Sequence, residues 1–261
     1  MKGIKEWFQK RKNRFRRAAI VFIDYEYLFH TYRKLCHFRP YLKAIKAHIE
    51  DRHPIKDLYV FGDFSRIEPA GELPKLKEMG EKIISTEQLG IYTKKNVTDF
   101  VMLDYLYRVT AENKKIKHCI VLTDKEYFEP AFQHLRQIQK KRVILYKVKK
   151  SNCARLESNT DEIVELPFSE EVKRGYYEMI VENLAYVVDR PNIIPTFMGI
   201  VNTVARRNNV PIEEVKGALI EMLEKGWCSQ RTKYIEFGKA ARVVTANWEK
   251  LVEEGLWDFE K

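Results

Sequence analysis

Several things are missing from this 261-residue chain. No apolar run approaches the ~20 residues that a helix needs to cross a bilayer, so a helical membrane span is not expected. No apolar segment precedes a small-residue cleavage site near the N-terminus, so no secretory signal is read there. Cys36, Cys119, Cys153 and Cys228 are scattered, with no paired metal-type spacing. They read as reduced thiols of a cytoplasmic protein rather than as zinc ligands or a disulfide framework.

What is present is ordinary for a globular protein: 45% hydrophobic and 32% charged residues. The length suits one large domain or two modest ones. The net charge of +10 is unevenly spread. Residues 1–17 carry eight Lys/Arg against one acid. Lys10, Arg11, Lys12, Arg16 and Arg17 could grip phosphates. The plainer reading of the same segment is a solvated amphipathic helix with Trp7, Phe8 and Phe15 against the body, and the two are compatible.

From residue 18 the pattern alternates strand and helix. Residues 18–23, 58–61, 83–84, 119–122, 143–146 and 163–166 read as strands, several as continuous apolar runs. Residues 97–109 and 128–139 have helical spacing. This order argues for an α/β domain over residues 18–168, a mainly parallel sheet flanked by helices. Pro167 and Ser169-Glu170-Glu171 mark a boundary. Beyond it, 172–188, 196–207 and 211–225 read as helices, 227–237 with 242–245 as a hairpin, and 247–255 as a short helix. That order suggests a winged-helix-like domain over residues 169–261.

In an open parallel sheet, ligands bind beyond the carboxyl ends of the strands. Those ends are acidic here. Asp24 follows the first strand, Asp63 the second and Asp124 the fourth, and Asp99 opens a helix. Such a cluster suits Mg²⁺ or Mn²⁺, which take oxygen ligands and can activate water for phosphodiester hydrolysis. Each acid also has a duller explanation. Asp99 favours a helix start, Asp63 beside Gly62 suits a turn, and Asp124 and Glu126 suit the cap of the next helix. Asp104 lies about 140° around the helix from Asp99. Asp24 is harder to dismiss, because a buried acid is costly without a partner.

Four segments, in order, resemble the NYN family, a branch of the PIN-like nuclease fold. They are Phe22-Ile23-Asp24-Tyr25-Glu26-Tyr27, Phe61-Gly62-Asp63-Phe64, Lys95-Asn96-Val97-Thr98-Asp99 onward to Asp104, and the strand into Thr123. The resemblance implies a metal-dependent endoribonuclease acting in RNA processing or turnover. By position it makes Asp24 and Asp99 metal ligands, with Asp63 and Asp104 at further acidic positions. A third catalytic acid would come from Asp124 or Glu126. Lys94, Lys95, Lys125, Arg231 and Lys233 complete the expected RNA contacts.

The sequence departs from the family at one place. Where the family has Ser/Thr-Gly-Asp, this chain has Thr123-Asp124-Lys125. Lys125 falls on the metal-binding aspartate, Tyr127 on a second acid, and Tyr27 on a usually polar position. A lysine there could hold the place of a cation, which favours a catalytically inactive RNA-binding adaptor. The candidate recognition helix of the second domain carries Glu213, Glu214, Glu221 and Glu224, so a protein partner is a third reading.

Overall fold

In the computed structural model the described residues are 17–64, 72–78, 81–86, 97–188, 190, 192–234 and 240–257. Lys10, Arg11, Lys12, Arg16, Lys94 and Lys95 lie outside them. The chain divides into two compact units, one running to Phe168 without Cys36–Arg39, the other holding Cys36–Arg39 and the chain from Ser169.

The first unit is built on six strands: β1 (Ala19–Asp24), β2 (Ile55–Gly62), β3 (Lys82–Ser85), β4 (His118–Leu122), β5 (Arg142–Val148) and β6 (Glu162–Leu166). All neighbours pair in parallel, in the order β3-β2-β1-β4-β5-β6. Both faces of β1 and β4 are covered, so these strands are apolar at nearly every position.

The covering helices are α1 (Tyr25–Leu35), α2 (Leu42–Arg52), α3 (Glu72–Glu78), α4 (Val97–Glu112), α5 (Glu129–Gln137) and α6 (Ala154–Ser158). A 3₁₀ turn, Glu126–Phe128, precedes α5. Met102, Leu106 and Val109 of α4 and Phe132 and Leu135 of α5 pack with Phe22, Phe61, Val121 and Leu145 of the sheet in one core cluster. Strand order reverses between β1 and β4. The crevice at that reversal is where open α/β sheets place their ligands.

The second unit contains α7 (Ser169–Val188), α8 (Phe197–Asn208), α9 (Ile212–Glu224), an antiparallel hairpin of β7 (Cys228–Tyr234) and β8 (Ala240–Ala246), and α10 (Trp248–Glu253). A single bridge joins Thr196 to Val243. Thr196 caps α8 by accepting a hydrogen bond from the Gly199 N–H at 3.2 Å. Val215, Leu219 and Met222 of α9 are buried, as their helical spacing predicts. Among the described residues no helix is long and apolar enough to cross a membrane.

Candidate functional site

Asp24 ends β1 and starts α1. Its Oδ1 accepts the Tyr27 N–H at 3.0 Å, so the carboxylate caps the helix. Its Oδ2 faces β4, where Thr123 Oγ1 donates at 3.4 Å and Lys125 Nζ lies at 2.7 Å. Asp24 is fully buried.

Asp99 sits in the first turn of α4 and is buried too. Its Oδ1 accepts from Lys125 Nζ and its Oδ2 from the Tyr127 hydroxyl. Lys125 therefore bridges the two carboxylates, and a phenol closes the far side. The loop after β4 does this without capping the following turn: Lys125 holds the cap position with no side-chain capping bond.

The other expected acids are placed differently. Asp63 is half-buried just past β2. Asp104 is on the solvent side of α4, its Oδ2 3.5 Å from Arg108 Nε, so it does not join Asp24. Asp124 is half-buried on the β5 side, where its charge acts on Tyr27 and Cys153. Glu126 turns to α6, accepting the Arg155 N–H at 3.3 Å, with its other oxygen 4.0 Å from Arg155 Nε. Arg231 and Lys233 are exposed on β7, and Arg17 is exposed ahead of β1.

Some neighbours of the site were not singled out by the sequence. Glu26 Oε2 accepts from Thr98 Oγ1 at 3.2 Å, and Thr98 pairs with Thr86 at 2.8 Å. The only sequence signal was the place of Glu26 and Thr98 inside the two acidic motifs. Tyr27, already marked in the sequence as a departure, ties α1 to β5, its hydroxyl accepting the Val148 N–H at 3.2 Å. Just beyond it, Lys149 and Lys150 are exposed at the end of β5, on the same edge as Asp24 and Lys125.

Electrostatics follow the burial. Loss of water pushes the Asp24 carboxyl up to about 6, although Lys125 works against that rise. Burial would lower Lys125, but Asp24 and Asp99 outweigh it and hold the ammonium above its usual range. The two shifts are not symmetric because Asp24 is wholly enclosed, whereas Lys125 keeps partial contact with water and has two anionic partners. Burial and then the Asp99 hydrogen bond raise the Tyr127 phenol, so it stays a donor. Burial also raises Asp124.

The family-model match decides the fold family: the model for the NYN domain matches residues 18–167. This chain belongs to the NYN domain family. A crystal structure of a protein of unknown function, VPA0982 from Vibrio parahaemolyticus RIMD 2210633, is similar to this NYN domain. The TM-score is 0.51 at 12% identity, over 58% of this chain and 94% of that one. That likeness concerns the fold, which is PIN-like. No curated protein matches the sequence.

Nucleases of the NYN family generally depend on a divalent metal. The donor set here does not fit one. All four oxygens of Asp24 and Asp99 already face donors on Tyr27, Lys125, Thr123 or Tyr127. Magnesium needs near-octahedral oxygen ligation at about 2 Å, and an ammonium stands between the two carboxylates. No group of three or more His, Cys, Asp or Glu among the described residues is arranged to hold a metal.

Proposed function

We propose that this NYN domain binds RNA at the carboxyl edge of its sheet without metal-dependent cleavage. One observation carries the reading: the Lys125 ammonium lies between Asp24 and Asp99. It cancels one of two buried negative charges permanently. A phosphate chain then meets less repulsion at the β1–β4 crevice, and Lys149 and Lys150 offer it exposed cations.

The test is RNA binding and cleavage by the whole chain, with EDTA and then with Mn²⁺. Salt-sensitive binding in EDTA, weakened in a Lys149→Gln/Lys150→Gln variant, supports the reading. Mn²⁺-dependent cleavage that disappears in Asp24→Asn contradicts it.

The convergence of Asp24 and Asp99 favours a second reading, a metal-dependent endoribonuclease of RNA processing or turnover. That reading requires Lys125 to leave both carboxylates when Mg²⁺ or Mn²⁺ enters.

A further inference from the structure

The second unit carries a basic surface that neither the domain family nor the β1–β4 crevice accounts for. Helix α8 contains no Asp or Glu. Asn202, Thr203, Arg206 and Arg207 are exposed on it, at spacings of four residues for each Asn/Thr–Arg pair. Residues four apart on a helix are neighbours, so hydrogen-bonding side chains lead into two guanidinium groups.

The Arg207 guanidinium shares a ring with a third arginine at the end of α7. The Arg190 guanidinium lies 3.5 Å from the centre of the Tyr186 ring, and that of Arg207 lies 6.0 Å from the same ring. Arg190 is pinned there because its Nη1 donates to the Tyr186 carbonyl at 2.7 Å. Tyr186 itself is 47% exposed. No carboxylate among the described residues forms an ion pair with Arg190, Arg206 or Arg207.

A single arginine in the last turn of α8 would answer the helix dipole. Arg190 and Arg207 at one exposed ring, with Arg206 next along α8 and no ion pair to any of the three among the described residues, exceed that need, because like charges gathered together repel one another. The neighbouring helix α9 shows the contrast: its Glu221 lies 2.6 Å from Lys173 and 2.9 Å from Lys225.

We propose that the α8 face, with Tyr186 and Arg190, is a second RNA-contacting surface. The arginines pair with backbone phosphates, and the stacked Tyr186–Arg190 plane accepts an unpaired base. This surface lies in the second unit and goes beyond the reading of the NYN domain, resting on it only in taking RNA as the ligand. An acidic peptide could also satisfy the guanidinium groups. The exposed ring between them favours a ligand with both anions and flat faces.

The experiment is fluorescence anisotropy with a labelled mixed-sequence single-stranded RNA and the full chain, at several salt concentrations. An Arg190→Gln/Arg206→Gln/Arg207→Gln variant should bind about tenfold more weakly or worse. Its slope of log Kd against log salt should be shallower by about 2, at about 0.7 for each single-strand phosphate no longer neutralised. Arg206→Gln/Arg207→Gln leaves the Arg190–Tyr186 carbonyl bond intact and should reduce that slope by about 1.4. Unchanged affinity and slope in both variants overturn the proposal. Loss of poly-glutamate binding with RNA binding intact overturns it too, in favour of an acidic protein partner. The Lys149→Gln/Lys150→Gln variant separates the two readings. If it binds normally while the arginine variants fail, the crevice reading falls and the α8 surface stands.

Discussion

Lys125 Nζ lies 2.7 Å from Asp24 Oδ2 inside the crevice where the sheet reverses its strand order. The ammonium also serves Asp99, so one side chain satisfies two buried acids from two different elements. A buried pair is costly to break from one side, because the remaining charge is left without a partner.

Lys125→Met should therefore destabilise the protein by about 3–5 kcal/mol near pH 8. Urea denaturation measures it. The Lys125→Met/Asp24→Asn double variant should be more stable than Lys125→Met alone, since it removes one stranded carboxylate. If Lys125→Met costs no more than an exposed ion pair, under about 1 kcal/mol, the bridge is not part of the folded state.

Asp24 gives a pH signature with a definite sign. Its folded carboxyl titrates at about 6 and its unfolded one near 3.8. The folded state thus keeps a proton that the unfolded state has released. Its contribution to stability is present at low pH and is lost as pH rises through that interval, by about 3 kcal/mol at 1.36 per unit. Asp24→Asn should flatten this part of the stability profile. Carboxyl NMR on Lys125→Met should place Asp24 above its wild-type value, because burial then acts without the ammonium against it, leaving the Tyr27 N–H to oppose it.

The opposite end of the sheet has the reverse dependence. His53 and His118 face each other with Nδ1 atoms 3.2 Å apart. Burial lowers both, and His118 and Arg52 lower His53 further. On His118 the hydrogen bond to the Arg17 backbone works against burial, and the Arg142 charge adds to the lowering. A histidine lowered on folding contributes stability above its unfolded value of 6.5, which is lost as pH falls below it. Thermal melts should show a fall as pH drops below about 6.5, shallower in His118→Phe. An unchanged slope in that variant would show that the pair does not titrate with folding.

In the second unit, a Cβ at position 175 would lie 2.5 Å from Phe38 Cγ and Cδ1. Gly175→Ala should cost about 1–3 kcal/mol despite the better helix propensity of alanine, because the ring must move. A neutral or raised melting temperature would mean that Phe38 does not pack on α7.

The sheet was largely legible because its strands are continuous apolar runs. The six expected strands match β1 to β6, with ends shifted by a few residues. Helices α1 and α2 were not read. In α1 the buried Tyr25, Leu28, Phe29 and Tyr32 do fall at helical spacing, so its period was present in the sequence. In α2 the apolar Leu42, Ile45 and Ile49 alternate with lysines and histidine over only eleven residues.

Strand-end logic pointed to Asp24, and the family resemblance pointed to Asp99 at its helix start; the structure brings both to Lys125. Which of Asp124, Lys125 and Glu126 turns inward followed from neither. In an irregular loop no period assigns faces, so a shift of one residue exchanges a carboxylate for an ammonium. The Tyr127 bond to Asp99 depends on the 3₁₀ turn, which no spacing announces.

The proposal that Lys125 takes the place of a metal between Asp24 and Asp99 is tested most directly by calorimetric titration of the wild-type chain with Mn²⁺. We expect no saturable uptake at micromolar Mn²⁺, and a new site in Lys125→Asp, where a third carboxylate joins Asp24 and Asp99. Micromolar Mn²⁺ binding by the wild type that is abolished by Asp24→Asn would contradict it.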